Sequence, residues 1–299
     1  MSEKAAVLLL AHGTPDTLDE IPEYLKNVTG GRSLPQSVID EIQHRYSLIG
    51  ASPLTRLTLE QGKALSEAVG LPVYVGMRNW KPYISDTARV MRADGVVQCA
   101  VICLAPQNSR TSVGLYKKAV LAETGDMRVD FTETWAEHPM LIEAFAEKLR
   151  AVRHPGTMVL FTAHSVPSRT VQNSSDGSAD PYADEARRTA ALVAECVGLA
   201  PDDWTFAFQS QGQSGGPWIG PTVEETLTEL RQQDIERVVL QPIGFLCDHV
   251  EILYDIDIQF RQFAADFGME LVRPESLNDS PLLISALADL ARTGLARLG

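Results

Sequence analysis

Cysteine is scarce in this 299-residue chain: Cys99, Cys103, Cys196 and Cys247 are the only four, and no two form a CxxC pair. Such spacing offers neither an iron–sulfur ligand set nor a disulfide framework, and it reads as free thiols in a reducing compartment. Positive charge is also short, with 26 Lys and Arg against 39 Asp and Glu and a formal net charge of −13. A nucleic-acid partner is thereby disfavoured, because that binding rests on clustered cations displacing counterions, and so is an anionic membrane surface. An anionic small ligand is repelled at long range, so it needs a few locally placed arginines. Long apolar runs are missing too. The run in MSEKAAVLLLAHG covers about seven residues, too few for a signal-peptide core, and no stretch approaches the ~20 apolar residues of a membrane span. A cytoplasmic protein without a transmembrane segment is expected. Neither a GxGxxG turn after a strand nor a GxxxxGK[S/T] loop is present, and the glycine-rich stretches 173–180 and 212–216 read as turns; no organic cofactor is expected. GxSxG, HExxH and metal-spaced Cys/His clusters are absent as well, which removes the usual support for hydrolases and zinc proteases.

What is present is an ordinary globular composition, 44% apolar and 22% charged, in a chain long enough for two domains of about 150 residues. Runs rich in Val, Ile and Leu at 5–11, 73–77, 99–104, 158–163, 206–208 and 238–245 read as buried strands. Between them, 37–49, 53–69, 85–93, 140–152, 182–197 and 223–233 carry helical periodicity. This alternation predicts an α/β protein with parallel, doubly wound sheets. The halves also echo one another. LLLAHGTP at 8–15 is matched by LFTAHSVP at 160–167, and the stretch from Trp80 to Pro106 by that from Trp218 to Pro242. The period of half the chain predicts two similar Rossmann-like domains, 1–140 and 141–299, related by internal duplication, with a linker near 135–155. Ligands in open α/β sheets sit beyond the carboxyl ends of the strands, where His12 and His164 fall. A flat ligand between two facing imidazoles offers one face to each, an arrangement suited to a macrocycle and its central metal.

Three groups of residues carry candidate chemistry. His164 follows a strand and opens a turn, and its imidazole suits both proton transfer and metal ligation near pH 7. In GFLCDHVEILYDIDIQF at 244–260, Asp248 is expected as an N-cap, and Glu251, Asp255 and Gln259 at i, i+4 spacing are expected on one helix face. Two readings stay open for that row, a solvated acidic face or a path for protons and a hydrated divalent cation. The third group is the basic region around Arg32, Arg45, Tyr46 and Ser52, joined by Tyr116 and Lys117. Arginine grips carboxylates bidentately, though surface ion pairs account for such residues equally well.

AHGTP, HRYSLIGASPL, TAHSVP, QSQGQSGGPWIGP and PIGFLCDHVEILYDID together resemble the ferrochelatase family over nearly the whole chain. The resemblance implies the chelatase fold, two Rossmann-like domains flanking a porphyrin cleft, and a lyase that takes Fe2+ as substrate in haem biosynthesis. It implies His164 and Glu251 as the catalytic and metal-handling pair, Asp255 as an outer metal position, and His12, Arg32, Arg45, Tyr46, Ser52 and Tyr116 as porphyrin contacts. Gln259 stands where the family often has Glu, which weakens an accessory Mg2+ site. LAPQNSRTSVGLYKKA and the short polar TGGRSLP are similar to the soluble bacterial coproporphyrin III enzymes rather than to the protoporphyrin IX type. His12 departs from the tyrosine common at its position, and an imidazole there is expected as an axial ligand of product iron. Hand-over of product to a downstream haem-pathway enzyme follows from the same likeness. Two rivals share parts of the pattern. A sirohydrochlorin cobalt or nickel chelatase has the same fold and an AHG-type opening, whereas a non-catalytic haem or coprohaem carrier has no need of a proton acceptor beside an acidic row.

Overall fold

The computed structural model describes residues 4–171, 179–212 and 216–299; of the two glycine-rich stretches, 173–178 and 213–215 lie outside the described residues. Two four-stranded, all-parallel sheets organise the chain. The first contains β1 (Ala5–Ala11), β2 (Val73–Met77), β3 (Gln98–Cys103) and β4 (Arg128–Thr132) in the order β2-β1-β3-β4. The second contains β5 (Met158–His164), β6 (Trp204–Gln209), β7 (Arg237–Pro242) and β8 (Glu270–Val272) in the order β6-β5-β7-β8. Each strand of the second sheet therefore holds the place of the strand four earlier, which is the duplication expressed as topology.

Helices α1 (Ile21–Val28), α2 (Gln36–Ile49), α3 (Leu54–Val69), α4 (Ile84–Ala93), α5 (Val113–Leu121) and α6 (Pro139–Val152) precede β5. They are followed by α7 (Ser168–Val171), α8 (Tyr182–Cys196), α9 (Val223–Gln232), α10 (Val250–Leu253), α11 (Arg261–Asp266) and α12 (Pro281–Leu298). Because helices cover both faces of each sheet, the central strands read as unbroken apolar runs instead of alternating ones. The two-residue repeat still decides the packing partner. Val7 and Leu9 of β1 join Val159 and Phe161 of β5 in one large core with α3, α6, α8 and α12. Ala6, Leu8 and Leu10 point the other way, into a core with α4 and α5, and Leu160 and Leu240 enter a third with α9 and the 250–264 segment.

The last helix, α12, returns to the first sheet and lies on β3 and β4 beside α3 and α6. Gly294 permits that approach: a Cβ there meets Asp130 Oδ2 at 2.8 Å and the Ala100 Cβ at 3.1 Å. Gly294→Val is therefore expected to destabilise the fold by about 1–3 kcal/mol, the usual cost of forcing extra carbons into a packed interior, despite the gain in helix propensity. Urea unfolding of the two proteins measures the difference, and equal midpoints exclude this tight seat for α12.

Candidate active site

In each sheet the chain order reverses beside the strand that ends in Ala-His, so the ligand position of a doubly wound sheet falls at the carboxyl tips of β1 and β5. Gly13 makes the first tip: with φ at +80° its Cβ would lie 2.9 Å from the Met77 Cβ and 3.0 Å from the Trp80 Cβ, so the turn that presents His12 has room for no side chain at 13. A cavity of about 330 Å3 opens between the tips, lined from the first half by His12, Arg78 and Tyr116 and from the second by His164, His249 and Glu251. That is the size range of small-molecule sites.

His164 and Glu251 come together there. His164 Nε2 lies 3.2 Å from Glu251 Oε1, with the two side chains 31% and 33% exposed and thus open to a ligand. The other imidazole nitrogen, Nδ1, donates to the Ser165 carbonyl. Both ring nitrogens therefore face acceptors, which a neutral imidazole, with one N–H, cannot satisfy. Burial is the largest single influence on His164 and opposes its charge, but the Glu251 carboxylate and its hydrogen bond, with the Ser165 carbonyl and the Asp255 charge, together outweigh it and raise the imidazole above its ordinary value. Burial likewise opposes the charge on Glu251, and the His164 and His249 imidazoles hold its carboxyl well below the usual range. His249 is the third member: its Nε2 stands 3.3 Å from Glu251 Oε2 and its Nδ1 is 2.9 Å from the Cys247 carbonyl. Phe245 packs its ring between the two imidazoles, with centroids 6.1 Å from His164 and 4.5 Å from His249.

The acidic segment departs from the regular helix expected of it. Asp248 is not the N-cap; His249 is. The Asp248 carboxylate instead accepts from Ser276 Oγ at 2.6 Å and Asn278 Nδ2 at 3.0 Å, beside the Arg273 guanidinium. Winding then changes from α to π over Asp255–Phe260, with the Gln259 N–H reaching the Tyr254 carbonyl five residues back. Such π-turns concentrate at functional sites. The wider turn takes Gln259 off the face it shares with Asp255 in a regular α-helix: Asp255 is buried and Gln259 exposed. Asp255 accepts from Ser210 Oγ at 2.5 Å and has Arg45 Nη1 3.8 Å away. Burial, reinforced by the Glu251 charge, pushes its carboxyl up to about 6. Among the described residues, no group of three or more His, Cys, Asp and Glu is arranged to hold a metal ion.

Across the cavity, His12 Nε2 is 2.9 Å from Tyr24 Oη, and the Asn79 amide donates to the ring from 3.0 Å. Burial and then the Arg78 guanidinium lower the His12 imidazole to about 4, so it is neutral at pH 7. Arg78 stacks over Tyr116 at 5.2 Å, and one of its buried guanidinium nitrogens has no hydrogen-bond partner. The other expected contacts do not line this cavity. Arg32 is exposed, bonding the Thr29 carbonyl; Arg45 pairs with Glu41 and covers the Tyr254 ring. Tyr46 is buried in a small core with Ile21, Tyr24, Leu25 and Trp80. Ser52 is buried and accepts from Thr14 Oγ1, and Lys117 pairs with Glu133. Sequence reasoning missed Arg78, Tyr24 and His249, although His249 stands two residues from Glu251 in the segment already singled out.

The ferrochelatase family model matches residues 4–295. A ferrochelatase of Acidobacterium capsulatum is 61% identical, the comparison covering 100% of this chain and 97% of the relative. A coproporphyrin III ferrochelatase of Geobacillus kaustophilus is 32% identical over 97% of this chain and 96% of its own. Among solved structures, SirB from Bacillus subtilis with Fe3+ superposes with a TM-score of 0.61 at 14% identity, covering 99% of this chain and 97% of that one; a likeness at that identity concerns the fold.

Glu251→Gln removes the foremost of the influences that raise His164 and leaves burial, the largest influence, to oppose its charge, so the His164 titration midpoint, followed by NMR of the ring protons, is expected to fall. An unchanged midpoint excludes the ion pair as the controlling interaction.

Proposed function

The chain belongs to the ferrochelatase family, and from that premise we propose how its cleft inserts Fe2+ into a porphyrin. The single observation that carries the proposal is the contact of His164 with Glu251 on the wall of a cavity whose opposite wall carries a neutral imidazole. A macrocycle in that slot offers one face to His12 and the other to the His164–Glu251 pair.

Metal insertion demands that two pyrrole N–H protons leave and that iron shed its water. The resting pair already holds a proton, since both nitrogens of His164 face acceptors, so the neutral imidazole that can accept a pyrrole proton is the form reached after that proton departs. Ferrous iron approaching Glu251 favours the departure by repelling the imidazolium. His164 then takes the first pyrrole proton, with Glu251 stabilising the cation that results, gives it up toward solvent, and in its neutral form takes the second. Asp255, four residues on and poised at about 6, exchanges protons with solvent near neutral pH, which suits it as the outlet. Rigid walls built on two sheets favour a bent ring over a flat one, which is complementarity to the transition state. Turnover is therefore expected to rise with pH through the raised His164 value, because protonation of the pair removes the acceptor.

Coproporphyrin III is the proposed substrate in preference to protoporphyrin IX. In support, relatives named for that substrate match nearly the full chain; Arg78, a cavity-lining cation with no ion-pair partner among the described residues, offers a place for a propionate of either porphyrin. Neutral His12 has a lone pair free of protons at pH 7, which supports it as an axial ligand of the product iron. Hand-over of the product to a later enzyme of haem synthesis belongs to the same proposal.

Anaerobic incubation with Fe2+ and either porphyrin, followed optically, tests the reading: coproporphyrin III is expected to turn over faster, and equal rates remove the preference. His164→Ala is expected to keep the fold and lose activity by roughly 10²–10⁴-fold, the usual worth of a general base; full turnover removes the assignment. His12→Ala is expected to abolish the histidine-ligated absorption of the product complex, and an unaltered spectrum excludes the axial role.

A further inference from the structure

Gln209 lies at the tip of β6, opposite His164 in the strand register, only 1% exposed and outside the cavity lining. Its side chain nevertheless uses both ends. Oε1 accepts from Thr162 Oγ1 at 2.6 Å, and Nε2 donates to the main-chain carbonyl of Glu251 at 3.1 Å. Its own carbonyl accepts from the Ser165 N–H at 2.7 Å. One residue thus bonds the chain two positions before His164, one position after it, and at Glu251 itself. The planar amide makes its two bonds only in this orientation, since a flip sets its oxygen against the Glu251 carbonyl. Ser210, the next residue, bonds the Asp255 carboxylate, so the same strand tip reaches two successive members of the acidic row.

We propose that Gln209 is the positioning residue that sets the spacing between His164 and Glu251. It touches neither substrate nor iron in this account, and it acts through the main chain of Glu251, as outer partners of metal-handling groups do. The inference rests on the proposed roles of His164 and Glu251, but its geometric content stands without them. His164 comes from β5 and Glu251 from α10, the short helix after β7, and the Gln209 amide reaches both segments from the strand beside β5.

Gln209→Met keeps the approximate volume and deletes the donor. The expected result is a folded protein whose porphyrin dissociation constant, from fluorescence quenching, is unchanged while kcat falls about 10- to 100-fold, the range for lost outer-sphere partners. In 15N-histidine-labelled protein at fixed pH, the His164 Nε2 resonance, assigned with His164→Ala, is expected to shift as Glu251 moves off. Wild-type kcat together with a wild-type resonance in folded Gln209→Met overturns the proposal, and so does lowered stability with both readouts unmoved. If Gln209→Met does not fold, Thr162→Val frees the other end of the amide and is expected to shift the same resonance by less; no shift there also overturns it. Should the wild-type protein insert no iron into either porphyrin, the proposed function fails while the resonance still reports on Gln209.

Discussion

The chemistry proposed for this molecule depends on one contact, the imidazole of His164 held 3.2 Å from the carboxylate of Glu251. The partners lie 87 residues apart, and the sheet brings them together. His164 ends β5, and β7 runs directly beside β5, so the turn leaving β7 delivers Glu251 to the same edge. A parallel sheet gathers all its carboxyl ends on one side, which makes such convergence inexpensive for the chain. What the fold must add is fine placement, and it does so with buried polar groups: Thr162, Gln209 and Ser165 at the tips of β5 and β6, and Thr14, Ser52 and Thr55 beside the tip of β1. Polar side chains this deep persist only where their hydrogen bonds are made.

The contact also makes the two walls of the cavity electrically unlike. On one side, burial and Arg78 keep His12 neutral, at about 4. On the other, Glu251 draws His164 up. Two histidines that occupy equivalent places in duplicated strands are thus driven in opposite directions by their neighbours. Duplication supplied two imidazoles, and local charge makes them unlike: a neutral ring held by Tyr24 and Asn79 on one face, a ring drawn toward its charged form by Glu251 on the other.

Much of this was legible in the sequence, and the exceptions have physical causes. The four central strands announce themselves because burial on both faces demands continuous Val, Ile and Leu, and the edge strands β2 and β6 carry enough of the same signal. The opposite edges do not: β4 spells RVDFT and is only partly buried, and β8 is three residues long. His164 and Glu251 stood out through the Ala-His repeat and the acidic period. Arg78 did not, since a single arginine after a strand has no period and its stacking partner Tyr116 comes from a distant helix. Tyr46 misled for the converse reason: its place in a polar stretch of α2 hides that α1 and Trp80 close over it. The π-turn left no mark, because i, i+4 spacing looks the same in a strip of sequence whether or not the helix later widens.

That widened turn accounts for how so many acids share one short segment. Asp248, Glu251, Asp255 and Asp257 lie within ten residues of a chain that is already strongly acidic. Like charges so close raise one another's protonation unless each is answered. Asp257 takes a bidentate grip from Arg273 at 2.9 and 2.7 Å, and the same guanidinium reaches Asp248 at 3.3 Å. Glu251 has its two imidazoles. Asp255 alone is left with a distant cation, Arg45 at 3.8 Å, itself engaged with Glu41. The least answered carboxylate in a buried row is the one that must yield first to protonation, and it is Asp255 that burial and Glu251 push to about 6. The arrangement of counter-charges therefore selects which acid titrates near neutral pH, and it selects the one that lies next to the His164–Glu251 pair.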